Sequence, residues 1–152
     1  MISKTYSFGL LGLEAYPVEI EIDVAKGLPS ITLVGLADTA IKNSGFQWPS
    51  QRITVNLAPS DIKKEGACFD LAIALGILAA GGQINSVLLK NYAFLGELSL
   101  DGQIKPVRGV LAISLTMANF PIKNLILPEE NAKEAGIIPE ISAWPLKSLK
   151  AF

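Results

Sequence analysis

Hydrophobic and polar residues alternate along Val18–Val24, with Val18, Ile20, Ile22 and Val24 on one side and Glu19, Glu21 and Asp23 on the other. Strand side chains point alternately to two faces, so this stretch predicts a strand in a sheet with one wet face. Arg52–Leu57 repeats the pattern with Ile53, Val55 and Leu57 on one face, and Ala58-Pro59-Ser60-Asp61 ends it. Leu71–Ala80 carries no charge at all, which predicts a helix buried all round and stopped by Gly81-Gly82. It is too short to cross a bilayer.

Weaker patterns fill the rest. Ser30–Leu36 reads as the hairpin partner of Val18–Val24 across Lys26-Gly27-Leu28-Pro29. Tyr92–Leu100 and Gln103–Pro106 read as strands flanking Asp101-Gly102, a dipeptide suited to a type I′ turn because both central positions need positive φ. Gly109–Ala118 is a second apolar helix, Asn124–Leu127 a short buried strand, Pro128–Ala135 a short helix led by acidic residues, and Ile141–Leu149 a closing strand region. No linker, charge run or repeat interrupts the chain, so one domain over residues 1–152 is expected. Strands at the start followed by βαβαβ predict an α/β (α+β) fold. Its mixed sheet would have Leu71–Ala80 and Gly109–Ala118 packed on the same face.

Several segments, in order, resemble the N-terminal domain of the magnesium-chelatase-like AAA+ ATPases of the ComM and YifB type. They are Tyr6–Leu13, Val18–Val24, Gly27–Ser30, Leu33–Ala40, Ile53–Ala80, Leu95–Gly102, Pro106–Leu111 and Leu127–Asn131. The resemblance implies a ribosomal protein S5 domain 2-like fold, related to the proteolytic domain of Lon and to the C-terminal domain of the RadA ATPase. It also implies an AAA+ module downstream of this domain, with ATP and Mg as that module's cofactors and none in this chain. A homo-hexamer of the full-length protein and ATP-driven DNA processing, as in branch migration during natural transformation, are implied too. The domain itself would serve assembly, substrate guidance or regulation, with the AAA+ module of the same polypeptide as its partner and DNA reached through the full-length protein. A third reading, from the family's name, is a protein-interaction module of a metal-chelatase-type motor.

One departure from the family pattern stands between Asp38-Thr39-Ala40 and Asn43-Ser44-Gly45, where only Ile41-Lys42 replaces a Glu- and Arg-rich helix of about three to four turns. Such an exposed charged segment is prone to disorder, so the expectation is an interrupted backbone between Asp38 and Asn43, with a true deletion as the alternative. The absent residues include basic ones in the family.

Composition adds three constraints. Apolar residues make up 50% of the chain and charged ones 18%, against roughly 25% charged in an average soluble domain, so part of the surface is expected to meet a neighbour. A net charge of -1 supplies no global field for nucleic acid, and any DNA contact would need a local patch. The single Cys68 rules out an internal disulfide; with no signal-like opening, the cytoplasm is the expected compartment and no membrane partner is expected.

The Lon relationship makes a serine–lysine type peptidase the sharpest chemical alternative. The turn Lys64-Glu65-Gly66-Ala67 matches the one before the nucleophile in that family and puts Cys68 in the serine's place. The lysine that would activate it is replaced by Ile113, and no lysine follows until Lys123. Without histidine, Cys–His and Ser–His–Asp arrangements and most zinc sites are excluded. Cys68 is therefore expected to be a small buried side chain before a core helix. Lys63, Lys64 and Arg108 are the candidate contacts for an anion or nucleic acid, the lysine pair lying beside a glycine near a helix start. No Gly-x-x-x-x-Gly-Lys-Ser/Thr run occurs, so ATP binding by a P-loop is not expected of this chain. Asp61, Glu65 and Asp70 are spaced for a turn rather than a metal cage, and Asp70 is expected to cap the Leu71 helix. Phe46 and Trp48, beside Pro49 and Arg52, fit core or edge aromatics better than a stacking platform for a base.

Overall fold

The structure, a computed structural model, describes residues 1–27, 35–59 and 67–152. β1 (Ile2–Leu11) turns at Gly12-Leu13 into β2 (Glu14–Ala25), and the two pair antiparallel over their length. Gly12 at φ +64 in the first central position of this two-residue loop fits a type II′ turn, whose twist matches the strands. α1 (Gly35–Asn43) follows, then β3 (Arg52–Ala58), which pairs antiparallel with the other edge of β2. Next come α2 (Asp70–Ala80), the single-turn α3 (Ser86–Leu89) and β4 (Tyr92–Phe94). β5 (Glu97–Leu98) and β6 (Ile104–Lys105) form a separate small hairpin. α4 (Val110–Met117), β7 (Asn124–Pro128), α5 (Ala132–Ala135) and β8 (Ser142–Leu146) complete the chain. The main sheet has the order β3-β2-β1-β4-β7-β8, antiparallel in its first three strands and parallel in its last three. This is the expected mixed α/β architecture.

The helices divide between the two faces, which corrects the same-face expectation. On β1, Ser3, Thr5 and Ser7 point toward α2, and Ser3 and Thr5 donate their hydroxyls to Gly76 O at 2.6 Å and Ala72 O at 2.9 Å. Their cross-strand partners Ile22, Ile20 and Val18 share that face and pack with α2 in one apolar cluster. Phe8 points the other way, into a second cluster with Val110, Ile113 and Met117 of α4 and with Ala93, Leu95, Leu125 and Leu127. α2 and α4 thus sandwich the sheet. The expected wet face survives on β2, where Glu19 and Glu21 reach Lys4 at 3.3 and 3.8 Å.

α2 is buried all round, with Gly76 set against Ile22. Its C-terminus is a Schellman motif: Gly82 adopts φ +79, Gly82 N–H donates to Ala79 O and Gln83 N–H to Leu78 O. At the other end, Phe69 occupies the capping position without a side-chain bond, so Asp70 is the first helical residue rather than the cap. The single strand expected over Tyr92–Leu100 breaks at Leu95-Gly96, because Gly96 turns aside to bond the start of α2. The Asp101-Gly102 hairpin forms, but only Gly102 has positive φ, so the type I′ assignment is replaced by a Ser99–Gly102 turn closed by Gly102 N–H to Ser99 O.

Two further expectations change. Residues 30–34 of the proposed Ser30–Leu36 strand lie outside the described residues, Gly35 and Leu36 open α1, and both edges of β2 are taken by β1 and β3. α1 runs through Ile41-Lys42 without the expected interruption, and Ala37, Ala40, Ile41 and Ser44 form one buried stripe at i, i+3, i+4 and i+7. Among the described residues, no helix is long and apolar enough to cross a membrane.

Candidate functional site

The place to look for peptidase chemistry is the start of α2, where a 3-10 turn (Ala67–Phe69) carries Cys68 into the helix. Three hydrogen bonds tie this corner to the β4–β5 connection: Gly96 N–H to Cys68 O at 3.1 Å, Leu71 N–H to Gly96 O at 3.1 Å, and Leu98 N–H to the Asp70 carboxylate at 3.1 Å. Only the second gives a helix N–H an acceptor, in place of one that a cap would provide; in the other two, Gly96 and Leu98 are the donors. Cys68 is half-buried rather than fully buried, packed beside the α2 cluster. Burial pushes its thiol up to about 11, and the Asp70 charge adds to that push. A thiol so poised is neutral near pH 7 and a poor nucleophile. Burial also pushes the Asp70 carboxyl up to about 6, against the Leu98 N–H that favours its charged form, while Glu97 raises it further. Tyr16 is raised too, by burial and then by Cys68.

No activating cation joins this corner among the described residues. Ile113, at the position of the missing lysine, is buried in the α4 cluster across the sheet. Lys105 stands opposite Glu97 in the small hairpin with its side chain exposed. Lys63, Lys64, Asp61 and Glu65 lie outside the described residues. Arg108 is exposed just before Gly109, which leads into α4 at φ +76 with Leu10 directly against it, so Arg108 and Cys68 belong to elements on opposite faces. Phe46 and Trp48 are half-buried against the α2 cluster, as core or edge aromatics. Among the described residues no group of His, Cys, Asp and Glu could hold a metal ion.

Sequence reasoning missed the residues that fix the loop before α4. Asn131 clamps it by accepting from Val107 N–H at 2.9 Å and donating to Val107 O at 3.1 Å. Glu134 of α5 accepts from Leu111 N–H at 3.0 Å, supplying a cap that Gly109 has no side chain to give. The available signal was the acidic run Glu129-Glu130-Asn131 ahead of a short helix, which gives no hint of a partner so far along the chain.

Known proteins share this arrangement of segments. The chain is 39% identical to Competence protein ComM of Haemophilus influenzae, over 97% of its own length and 31% of that protein's. It is 41% identical to YifB of Salmonella typhimurium, over 84% of its length and 27% of that protein's. The chain therefore spans about a third or less of these relatives. The ComM alignment runs over 159 positions although 97% of 152 residues is about 147, so about a dozen positions fall opposite gaps. A weaker likeness, 35% identity over half the chain and 8% of the other protein, joins it to Lon protease 2 of Hydrogenovibrio crunogenus. The family described as Subunit ChlI of Mg-chelatase matches residues 20–131, from the middle of β2 to the Asn131 clamp, and this chain belongs to that family.

Proposed function

We propose that this chain is a non-catalytic domain of an AAA+ ATPase of the ComM type that processes DNA with ATP, as in branch migration during natural transformation. The observation that carries the reading is the match to Competence protein ComM along nearly the whole chain. The domain's work is assembly, substrate guidance or regulation. ATP and Mg belong to a AAA+ module of the same polypeptide, the complete protein acts as a homo-hexamer, and the compartment is the cytoplasm. A non-catalytic role is supported by the thiol of Cys68 being pushed up to about 11 and by Ile113 where a base is needed. The test is the complete polypeptide that carries this domain, which should hydrolyse ATP and move a four-way DNA junction. Failure of the purified polypeptide to do either overturns the reading.

The Lon likeness favours a second reading, a peptidase with Cys68 as nucleophile. A thiol-reactive peptide inhibitor would then add its mass to Cys68 faster than to a thiol of ordinary reactivity. The family description leaves a third, an interaction module of a metal-chelatase motor, for which co-purification with further chelatase subunits is the check.

A further inference from the structure

Among the exposed apolar groups of this surface, two features complement one another. The first is a hollow of about 230 Å³ at the β8 end of the sheet, on the α2 side, lined by Leu88, Tyr92, Ile126, Trp144 and Phe152. Leu88 is 62% exposed and Trp144 51%, although Phe152 packs edge-on and Tyr92 at a tilt against Phe94. It adjoins a second hollow that shares Leu88 and Tyr92 and brings in Lys90 and Lys123. Among the described residues, no acidic side chain lines either one. The second feature is the tip of the β1–β2 hairpin. There the type II′ turn at Gly12 presents Leu11 and Leu13, and Leu13 is 93% exposed with the exposed Glu14 next to it.

We propose that the Leu11–Glu14 hairpin tip of one copy docks in the Leu88–Trp144 hollow of a second copy, with Glu14 beside Lys90. Three observations select a second copy as the occupant. The tip is apolar with a carboxylate at its edge, and the hollow is apolar with ammonium groups at its edge, so the two match in both respects. A net charge of -1 offers little repulsion between copies. Pro145 in the edge strand β8 has no N–H to offer, so the edge is ill-suited to adding another strand, and contact through inserted side chains is the better fit. Nucleic acid fits less well: Tyr92, Trp144 and Phe152 offer rings, but Leu88 and Ile126 stand among them, and of the two lysines in the adjoining hollow Lys123 is already bonded to Ala118 O. The tip and the hollow are different patches, so the contact is head-to-tail and propagates to a ring or an open chain. This assembly contact does not depend on the DNA-processing reading.

Sedimentation velocity on the 152-residue chain tests it. Wild type should associate with rising concentration, and Leu13→Asp and Leu88→Asp should each weaken association by about tenfold or more. Mixing the two variants should restore one contact, since the first keeps an intact hollow and the second an intact tip, and so give a closed 1:1 pair. Glu14→Lys should weaken association, and combining it with Lys90→Glu should restore it. Circular dichroism confirms that each variant is folded; should Leu88→Asp fail to fold, Val87→Asp on the same turn replaces it. A wild type monomeric at every concentration, a mixture that stays monomeric, or association untouched by either single variant overturns the proposal. So does a chain that stays monomeric while binding a single-stranded oligonucleotide that Leu88→Asp no longer binds, which would give the hollow to nucleic acid.

Discussion

Asp70 is the side chain whose replacement tests the structure most sharply. Its carboxyl is half-buried at the start of α2, accepts the Leu98 N–H at 3.1 Å, and is pushed up to about 6 from its ordinary 3.8. A carboxyl raised on folding binds its proton more tightly in the folded state, so its contribution to stability is fully present below the unfolded pKa and is lost as pH rises through the folded one. The window therefore runs from about pH 4 to about pH 6, and stability falls across it. Two pH units correspond to about 3 kcal/mol at full strength, but solvent reaches this carboxylate and screens it, leaving about 1–1.5 kcal/mol. Asp70→Asn removes the charge and keeps an oxygen to accept from Leu98. Urea unfolding should find the variant about 1 kcal/mol more stable than wild type near pH 8 and about equal near pH 4. Asp101, whose carboxyl is lowered by the Ser99 hydroxyl, acts with the opposite sign and below this window. A variant destabilised near pH 8 would show that the charged Leu98 hydrogen bond outweighs desolvation, and the reasoning would be refuted.

Other consequences are more local. Gly109→Ala puts a methyl group on a residue at φ +76 with Leu10 against it, and should cost about 2–4 kcal/mol in chemical denaturation; a cost below about 1 kcal/mol would mean that Leu10 is free to move. Glu134→Ala strips the cap from Leu111 N–H and should lower stability by about 1 kcal/mol, with Glu134→Gln losing less. The Cys68 thiol should react with iodoacetamide at neutral pH more slowly than the same thiol in urea, and Cys68→Ala should cost about 1 kcal/mol while leaving the function of the complete protein intact. Fast alkylation in the folded state would revive the peptidase.

What could be read in the sequence was what one element decides alone. α2 and β2 announce themselves because one is apolar on every face and the other alternates strictly, and the structure places both helix and strand where those patterns run. β1 shows why the layering was hidden. Ile2 is 58% exposed while Ser3 is 4% exposed, because the hydroxyl face of this strand is the buried one, its oxygens bonded to carbonyls of α2 and β4. A strand that buries its hydroxyls gives no apolar alternation to read, and with it went the clue that Phe8 reaches a different helix. The Asp70 cap failed for a similar reason. The Leu71 N–H and the Asp70 carboxylate found partners at Gly96 and Leu98, more than twenty residues further along the chain. Cys68 and Ile113 were legible as an incomplete dyad because chemistry needs both members; which face each occupied was not.

Helix geometry makes a deletion within α1 testable. An α-helix turns about 100° per residue, so removing about 11 residues, close to the dozen positions by which ComM outruns this chain, takes out about three whole turns and rotates the remainder of the helix by only about 20°. A deletion of that size keeps Ala37 and Ala40 in line with Ile41 and Ser44, which is the continuous buried stripe observed. Ile41 is fully buried, and Ser44 donates its hydroxyl to Ala40 O at 2.7 Å across the junction. Inserting a helical segment of about 11 residues between Ala40 and Ile41 should therefore leave a cooperative thermal transition and a gain in helical circular dichroism. Inserting about nine residues, two and a half turns, sets the halves of the stripe on opposite sides and should cost several kcal/mol, the burial of Ile41 or of Ala37 and Ala40 being lost. Equal stability of the two insertions would place the missing residues outside this helix.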